Sequence, residues 1–344
     1  MSEHTTIGVD LAKNTIVVAR LSKSGKLTHT KELSRTKFRQ YLSTQSISLV
    51  AFEACATAHY WSRVARSFGH HTKILPALAV APFRQGHKTD RNDALAVAEA
   101  SNRPNIKEAP IKSIDQQALQ AIQRSRDLLV TERTTLSNHI RGILLEFGFA
   151  LRKGFHSLHT HLPDILEDGD NELPDAYRHT LALLHERLLL LREDIQQMDH
   201  QITSQIKQHD PCVRLTALEG VGPISAILLY ASLGTGEAFK NGREYSAYLG
   251  LTPKQYSSGG KVNLVGISRH IANKRLRAIL IQGAKAYIYK AKLGESSKDR
   301  WLKALIDRAG ERRAAVALAN KNVRTAWALL TQGTEYKTTP ATVV

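Results

Sequence analysis

The order of short apolar runs near the N-terminus restricts the fold more than any other feature of this sequence. Ile7 to Asp10, Thr15 to Leu21 and Leu27 to Leu33 are short apolar or β-branched runs of strand length, spaced closely enough to form a three-strand meander. A helical stretch at Phe38 to Leu42, a strand at Leu49 to Phe52, a helix from Ala58 to Phe68 and a strand at Thr72 to Leu75 follow. Acids stand at the ends of these elements. Asp10 closes Thr6-Ile7-Gly8-Val9 and Glu53 closes Leu49-Val50-Ala51-Phe52. Asp90 and Asp93 open a helix-like stretch that runs on to Ala98, with Thr89 placed to cap it.

Three strands followed by helix, strand, helix and strand is the RNase H-like (RuvC-like) order, an α/β domain in which the two strand ends and the helix start would meet. Open α/β sheets hold ligands beyond the carboxyl ends of their strands, and residues three apart share a helix face. Four carboxylates form a hard-oxygen set suited to Mg2+, and a pair of such ions can flank the attacking and leaving oxygens of a phosphoryl transfer. Singly, each acid has a plainer role. Asp-x-x-Asp suits the positive end of a helix, and an acid at a strand end often caps a loop. The joint pattern favours a metal site acting on phosphodiesters.

The charge agrees with a nucleic-acid partner. The 344 residues carry 48 Lys and Arg against 31 Asp and Glu, a formal charge of +17. Between Lys240 and Arg324 lie nineteen Lys or Arg and five Asp or Glu, so the positive field belongs to the C-terminal third. Such a surplus steers polyanions and makes their binding salt-dependent. Two cysteines, Cys55 and Cys212, cannot build a disulfide framework, and no apolar run nears the roughly 20 residues that span a bilayer. The N-terminus enters a strand without a signal peptide. A cytoplasmic protein of two or three domains, with no membrane partner, is expected.

After Pro110 the pattern turns helical. Ile114 to Phe147 and about Tyr177 to Gln208 read as long helices, and in the second Leu181, Leu184, Leu188, Leu191, Ile195, Met198 and Ile202 form a heptad seam. Gly154 to Pro174 reads as a loop at the tip of an antiparallel hairpin, with His156, His159 and His161 as surface residues rather than metal ligands. The arms can pack on each other or on a second chain; dimerisation is favoured. Further on, Leu215 to Pro223 followed by Ile224 to Leu233 suggests a helix-hairpin-helix, in which Gly220 and Gly222 permit a tight turn that holds a DNA phosphate. Tyr256-Ser257-Ser258-Gly259-Gly260-Lys261 reads as a flexible polar loop. It would let a hydroxyl approach a phosphate, with Lys261 stabilising developing charge. Trp301 to Leu330 reads as two helices whose Arg308, Arg312 and Arg313 form a solvated face.

Asp10, Glu53, Lys88-Thr89-Asp90-Arg91-Asn92-Asp93-Ala94, Leu218-Glu219-Gly220-Val221-Gly222-Pro223, Leu249-Gly250-Leu251-Thr252-Pro253, Ser258-Gly259-Gly260-Lys261 and Ile267-Ser268-Arg269 together resemble the DEDD transposases of the insertion-sequence group numbered one hundred and ten, with its eleven-eleven branch. The resemblance covers nearly the whole chain in motif order. It implies a RuvC-like catalytic domain at residues 1–112, a helical coiled-coil middle at 113–212 that dimerises, a mainly α transposase domain at 213–330, and a disordered tail at 331–344. It further implies magnesium held by Asp10, Glu53, Asp90 and Asp93, and Ser258 as nucleophile, with its neighbour Ser257 the other candidate. Target and donor DNA would be chosen by a structured bridge RNA; separately, the heptads suggest a dimer, and a synapse of two DNA duplexes suggests a tetramer. The family usually has a glycine shortly after the Ile-Ser-basic motif, whereas His270-Ile271-Ala272-Asn273 stands here; isoleucine takes a positive φ poorly, so the turn before the basic helix is expected to differ.

On this reading Lys261, Arg269, Lys274, Arg275 and Arg277 grip phosphates without reading bases. The alternative is a RuvC-like endonuclease that uses water and forms no covalent intermediate. A sugar kinase or actin-like ATPase is disfavoured by the lack of a second Asp-x-Gly loop. A non-catalytic nucleic-acid-binding protein would show no magnesium-dependent cleavage.

Overall fold

The computed structural model describes residues 4–268, 271 and 273–337. The chain divides into two compact units, one of residues 1–116 together with 229–344 and one of residues 117–228. The N-terminal part of the first unit is built on strands β1 (Thr5–Leu11), β2 (Thr15–Leu21) and β3 (Leu27–Ser34), then helix α1 (Arg35–Thr44), β4 (Ser48–Glu53), α2 (Ala58–Ser67) and β5 (His71–Leu75). A short helix α3 (Ala77–Val80) leads to α4 (Asp90–Ser101). The sheet order is β3-β2-β1-β4-β5; the meander is antiparallel, and β4 and β5 continue from β1 in parallel.

Period-two alternation explains how this sheet is covered on both faces. Ile7, Val9, Ile16, Val18, Val50, Phe52 and Ile74 point one way and pack on Phe38 and Leu42 of α1 and on Trp61 and Ala65 of α2. Ala51 and Leu75 point the other way, onto Ala96, Val97 and Ala100 of α4. Small residues on α4 bring its backbone close to the sheet. The closest approach is at Gly8 in the middle of β1: a Cβ there would collide with the Ala94 carbonyl oxygen and the Ala98 amide nitrogen. Thr6 donates from Oγ1 to Asn102 Oδ1 at 3.1 Å, so α4 runs antiparallel to β1 and its N-terminus lies beside the strand's carboxyl end. Thr89 caps that N-terminus, its Oγ1 accepting from the Asn92 amide at 3.3 Å.

Residues 117–228 include most of α5 (Ile114–Glu146), all of α6 (Phe155–Glu167), α7 (Asp175–Gln208) and α8 (Asp210–Thr216), and the start of α9 (Pro223–Leu233). The expected antiparallel arms are present. Arg126 of α5 forks onto both carboxylate oxygens of Asp199 of α7, at 2.5 and 3.1 Å. The segment read as a loop is mostly helix α6. Its Leu158, Leu162 and Ile165 follow a four-then-three spacing and pack with Ile140, Leu144, Leu181 and Leu188, a pattern masked in the sequence by Gly154, Pro163 and three histidines. Leu181 and Leu188 of the heptad seam are therefore covered within the chain, while Leu183 and Leu190 of α7 stay more than half exposed. His159 lies on α6, stacked on Phe155 and accepting from Arg192 at 3.2 Å.

The C-terminal part of the first unit continues with α10 (Gly242–Tyr248), strands β6 (Pro253–Ser258) and β7 (Lys261–Ile267), α11 (Lys274–Ala291), α12 (Ser297–Ala309) and α13 (Glu311–Gln332). Helix α13 is the centre of this part: Ala314, Ala315, Leu318, Ala319, Val323, Ala326 and Leu329 are all buried. Ser296 and Asp299 form a reciprocal capping box on α12. Among the described residues, no helix is long and apolar enough to cross a membrane.

Candidate active site

The register of the sheet brings two acids together. Gly8 pairs with Ala51 and Val9 with Phe52 across the parallel β1–β4 ladder, so the next pair outward is Asp10 and Glu53. Alternation turns both carboxylates to the face that α4 covers, because Gly8 and Ala51, two residues earlier, lie against that helix. The first turn of α4 brings Asp90 and Asp93 to the same end of the sheet.

Electrostatics registers this convergence. The Asp10 carboxyl is raised to about 6, first by burial and then by the charges of Asp90, Asp93 and Glu53, against a lowering hydrogen bond from the Leu11 amide. Arg84 donates to Asp93 Oδ1 at 3.2 Å, an ion pair that the sequence did not signal because Arg84 comes from the irregular segment before α4. Cys55, just past Glu53, has its thiol pushed up to about 11 by burial and by the Glu53 and Asp10 charges, so it stays protonated at neutral pH. In the same loop Thr57 takes a φ of 70°, a left-handed conformation unusual for a threonine and typical of backbone held under strain near functional sites.

The four carboxylates share an end of the sheet without forming a closed cage: among the described residues, no three His, Cys, Asp or Glu side chains are spaced to hold an ion. The donor set nonetheless fits a divalent cation in kind. It is all carboxylate oxygen, and its mutual repulsion, which adds to burial in raising Asp10, is charge that a hard cation would relieve.

Ser257 and Ser258 lie at the tip of the β6–β7 hairpin, not on a flexible loop. Ser258 pairs with Lys261, leaving Gly259 and Gly260 as a two-residue turn with φ of 55° and 77°, the type I′ geometry that only glycine-like residues enter freely. Gln255 Nε2 donates to Ser257 Oγ at 2.8 Å. Nearly every residue of both strands is exposed, Lys261 included. Gly220, with φ of 79°, turns the chain between α8 and α9, and Gly222 is exposed beside it.

The basic residues assigned to phosphates divide into three groups. Lys274 and Arg275 are exposed in the first turn of α11, where no acid accompanies them. Arg277 is half-buried and donates to the carbonyls of Gly250 and Ser268, a structural role that periodicity alone could not foretell. Arg269 lies outside the described residues. Ile271 sits over Gly250, whose φ of 65° and missing side chain make room for it, so the turn that lacks the usual glycine borrows space from another one.

The sequence matches two family models, one described as "Transposase" over residues 7–149 and one as "Transposase IS116/IS110/IS902 family" over residues 212–301. It is 38% identical to a probable family 20 transposase of Pseudomonas aeruginosa, over 96% of this chain and 98% of that protein. It is 36% identical to the transposase for insertion sequence element IS1111A of Coxiella burnetii, over 98% and 92% respectively. With the transposase for IS1328 of Yersinia enterocolitica it shares 35% identity over 98% and 99%. The carboxylates at the sheet end, the serine hairpin and these near full-length similarities lead to one conclusion: the chain belongs to the IS110 family of insertion-sequence transposases.

Proposed function

We propose that this transposase cleaves and rejoins DNA strands with magnesium held by Asp10, Glu53, Asp90 and Asp93 and with Ser258 as the nucleophile. The convergence of Asp10, Glu53, Asp90 and Asp93 on one end of the sheet, where burial first and then the three neighbouring charges raise Asp10 to about 6, is the observation that supports this reading most. A mixed sheet in the order β3-β2-β1-β4-β5, with helices on both faces, supports an RNase H-like assignment for the N-terminal domain. When bound, a divalent cation supplies Lewis acidity toward a phosphate oxygen and neutralises charge.

Ser258 Oγ forms a bond to phosphorus as the bond from phosphorus to the deoxyribose oxygen breaks, and the hydroxyl proton ends on the departing oxygen. One phosphodiester is exchanged for another, so resealing needs no external energy source. Ser258 is favoured over Ser257 because Ser257 Oγ already accepts from Gln255, and because Ser258 adjoins the exposed turn. Lys261 pairs with it across the turn and stabilises charge on the attacked phosphate. Lys274 and Arg275 are exposed at the positive end of α11 and so are placed to meet a DNA phosphate. Gly220 and Gly222 offer backbone amides to a further phosphate.

The domains are residues 1–112 for metal chemistry, 113–212 for oligomerisation and 213–330 for the nucleophile and nucleic-acid contacts. Because Leu181 and Leu188 are covered internally, the exposed Leu183 and Leu190, seven residues apart on α7, are the better surface for a dimer, with a tetramer at the synapse. A structured bridge RNA pairing with target and donor DNA would choose the sites, and pairing of that kind leaves the protein little need for base contacts.

The test is a denaturing gel of protein incubated with magnesium and labelled donor DNA. Wild type should show protein linked to cleaved strand, and a folded Ser258→Ala variant should show none. A normal adduct from that variant would refute the serine, and cleavage by wild type without any adduct would point to a water-using RuvC-like endonuclease.

A further inference from the structure

A cleft of about 1430 Å³ opens in the C-terminal part of the first unit, between α10, the base of the β6–β7 hairpin, α12 and α13. Leu251, Leu264, Val265, Ile267, Val316 and Ala317 give it an apolar wall. Arg243, Arg312, Arg313, Lys321 and Arg324 edge it, and among the described residues no carboxylate lines it. Spacings of four, four and three residues put Arg313, Ala317, Lys321 and Arg324 on one face of α13. Arg312 and Arg313, read from sequence with Arg308 as a solvated face, thus border an open cavity.

Their charge is not answered locally. The acids next to them in sequence are engaged elsewhere, Glu244 by Lys107 and Glu311 by Lys292 at 2.7 Å. Among the described residues, Arg243, Arg312, Arg313 and Arg324 have no ion-pair partner. The Lys321 ammonium rests over the Trp301 indole, 4.5 Å from its centroid, a contact that leaves its charge available to an anion.

An apolar wall beside an unneutralised basic rim matches a polymer that carries flat apolar groups on a charged backbone. A duplex stacks the faces of its bases away inside, offering only phosphates, sugars and base edges, which would leave the flat apolar wall without a stacking partner. The volume exceeds the roughly 300–1,000 Å³ of small-molecule sites and suits a short run of nucleotides. We infer that this cleft holds an unpaired DNA strand. Passing a single strand from one duplex to another unpairs it, so the substrate of a transposase supplies the occupant. The inference rests on membership of the transposase family and not on the assignment of Ser258.

The test is fluorescence anisotropy of the full-length protein with labelled oligothymidine, the matching oligodeoxyadenosine–oligothymidine duplex and oligouridine RNA. Arg313 and Arg324 are exposed, so their removal leaves the core intact. Arg313→Ala with Arg324→Ala should weaken oligothymidine binding at least tenfold and change duplex binding less than threefold. The log–log salt dependence should flatten by about 1.4, each single-strand phosphate contact contributing about 0.7. Lys23→Ala with Lys26→Ala, an equal charge loss at the β2–β3 turn, should change nothing. Trp301→Phe should reduce the oligothymidine-induced quenching of tryptophan fluorescence, leaving the share from Trp327, which also lines the cleft. An unchanged oligothymidine affinity, an equal loss for the duplex or in the control variant, a loss confined to RNA, or undiminished quenching without Trp301 would each overturn the inference.

Discussion

Asp10→Asn is expected to lower magnesium-dependent DNA cleavage by on the order of 10³-fold, about 4 kcal/mol of transition-state stabilisation, while making the metal-free protein more stable. The two effects have one origin. Asp10 stands where burial and three neighbouring carboxylates disfavour its charge, at about 6 against an ordinary 3.8. A raised acid means that the folded state binds more protons than the unfolded one between about pH 4 and 6, so stability falls as pH rises through that window and stays lower above it. Asparagine carries no charge, so the variant should lose this decline. Asp10 is only half-buried, and the gain at pH 7.5 is therefore discounted to about 1 kcal/mol. Melting curves at pH 5 and pH 7.5 in a chelator check the sign, and magnesium should raise the melting temperature of wild type but not of the variant. Wild-type cleavage rates from Asp10→Asn would remove the carboxylate cluster from the chemistry.

Gly8→Ala is expected to destabilise the protein by about 3 kcal/mol or more. The added methyl meets the backbone of α4 at Ala94 and Ala98 rather than the yielding tip of a side chain. The helix must lift from β1 or the strand must shift, and either movement carries Asp90 and Asp93 away from Asp10. Urea unfolding should report the loss. If the variant still folds, its magnesium-dependent thermal shift should be reduced along with cleavage. Wild-type stability together with wild-type metal response would show that α4 is not held at this distance.

The N-terminal sheet was legible because its strands are short, β-branched and separated by turns, and the acids could be placed because each closes or opens one of those elements. Distances between elements were not legible. Nothing local distinguishes Gly8 from a weak point in a strand, although an interior strand glycine does signal close backbone approach. Arg84 could not be paired with Asp93 before the irregular segment had a course. The two glycines beside Ser258 suggested mobility, yet the alternating Val262, Leu264 and the pairing of Ser258 with Lys261 make them a tight turn. The heptads of α7 were readable but their partner was not, since an apolar seam is satisfied equally well by α5 and α6 or by another chain. Arg312 and Arg313 are exposed, as read, but sequence alone does not reveal the cleft that they edge or that Glu311 turns to Lys292.

The first unit is discontinuous, assembled from residues 1–116 and 229–344 around an insert of residues 117–228. During synthesis the N-terminal part meets the C-terminal part of its unit only after that insert has emerged, roughly 6 to 22 s later at translation rates of about 5–20 residues per second. Until then Gln116 has no Tyr230 carbonyl to bind and Lys107 has no Glu244. On the proposed assignment, a chain that stops before Ser258 would carry the four carboxylates without the serine turn, and so one half of the proposed chemistry without the other.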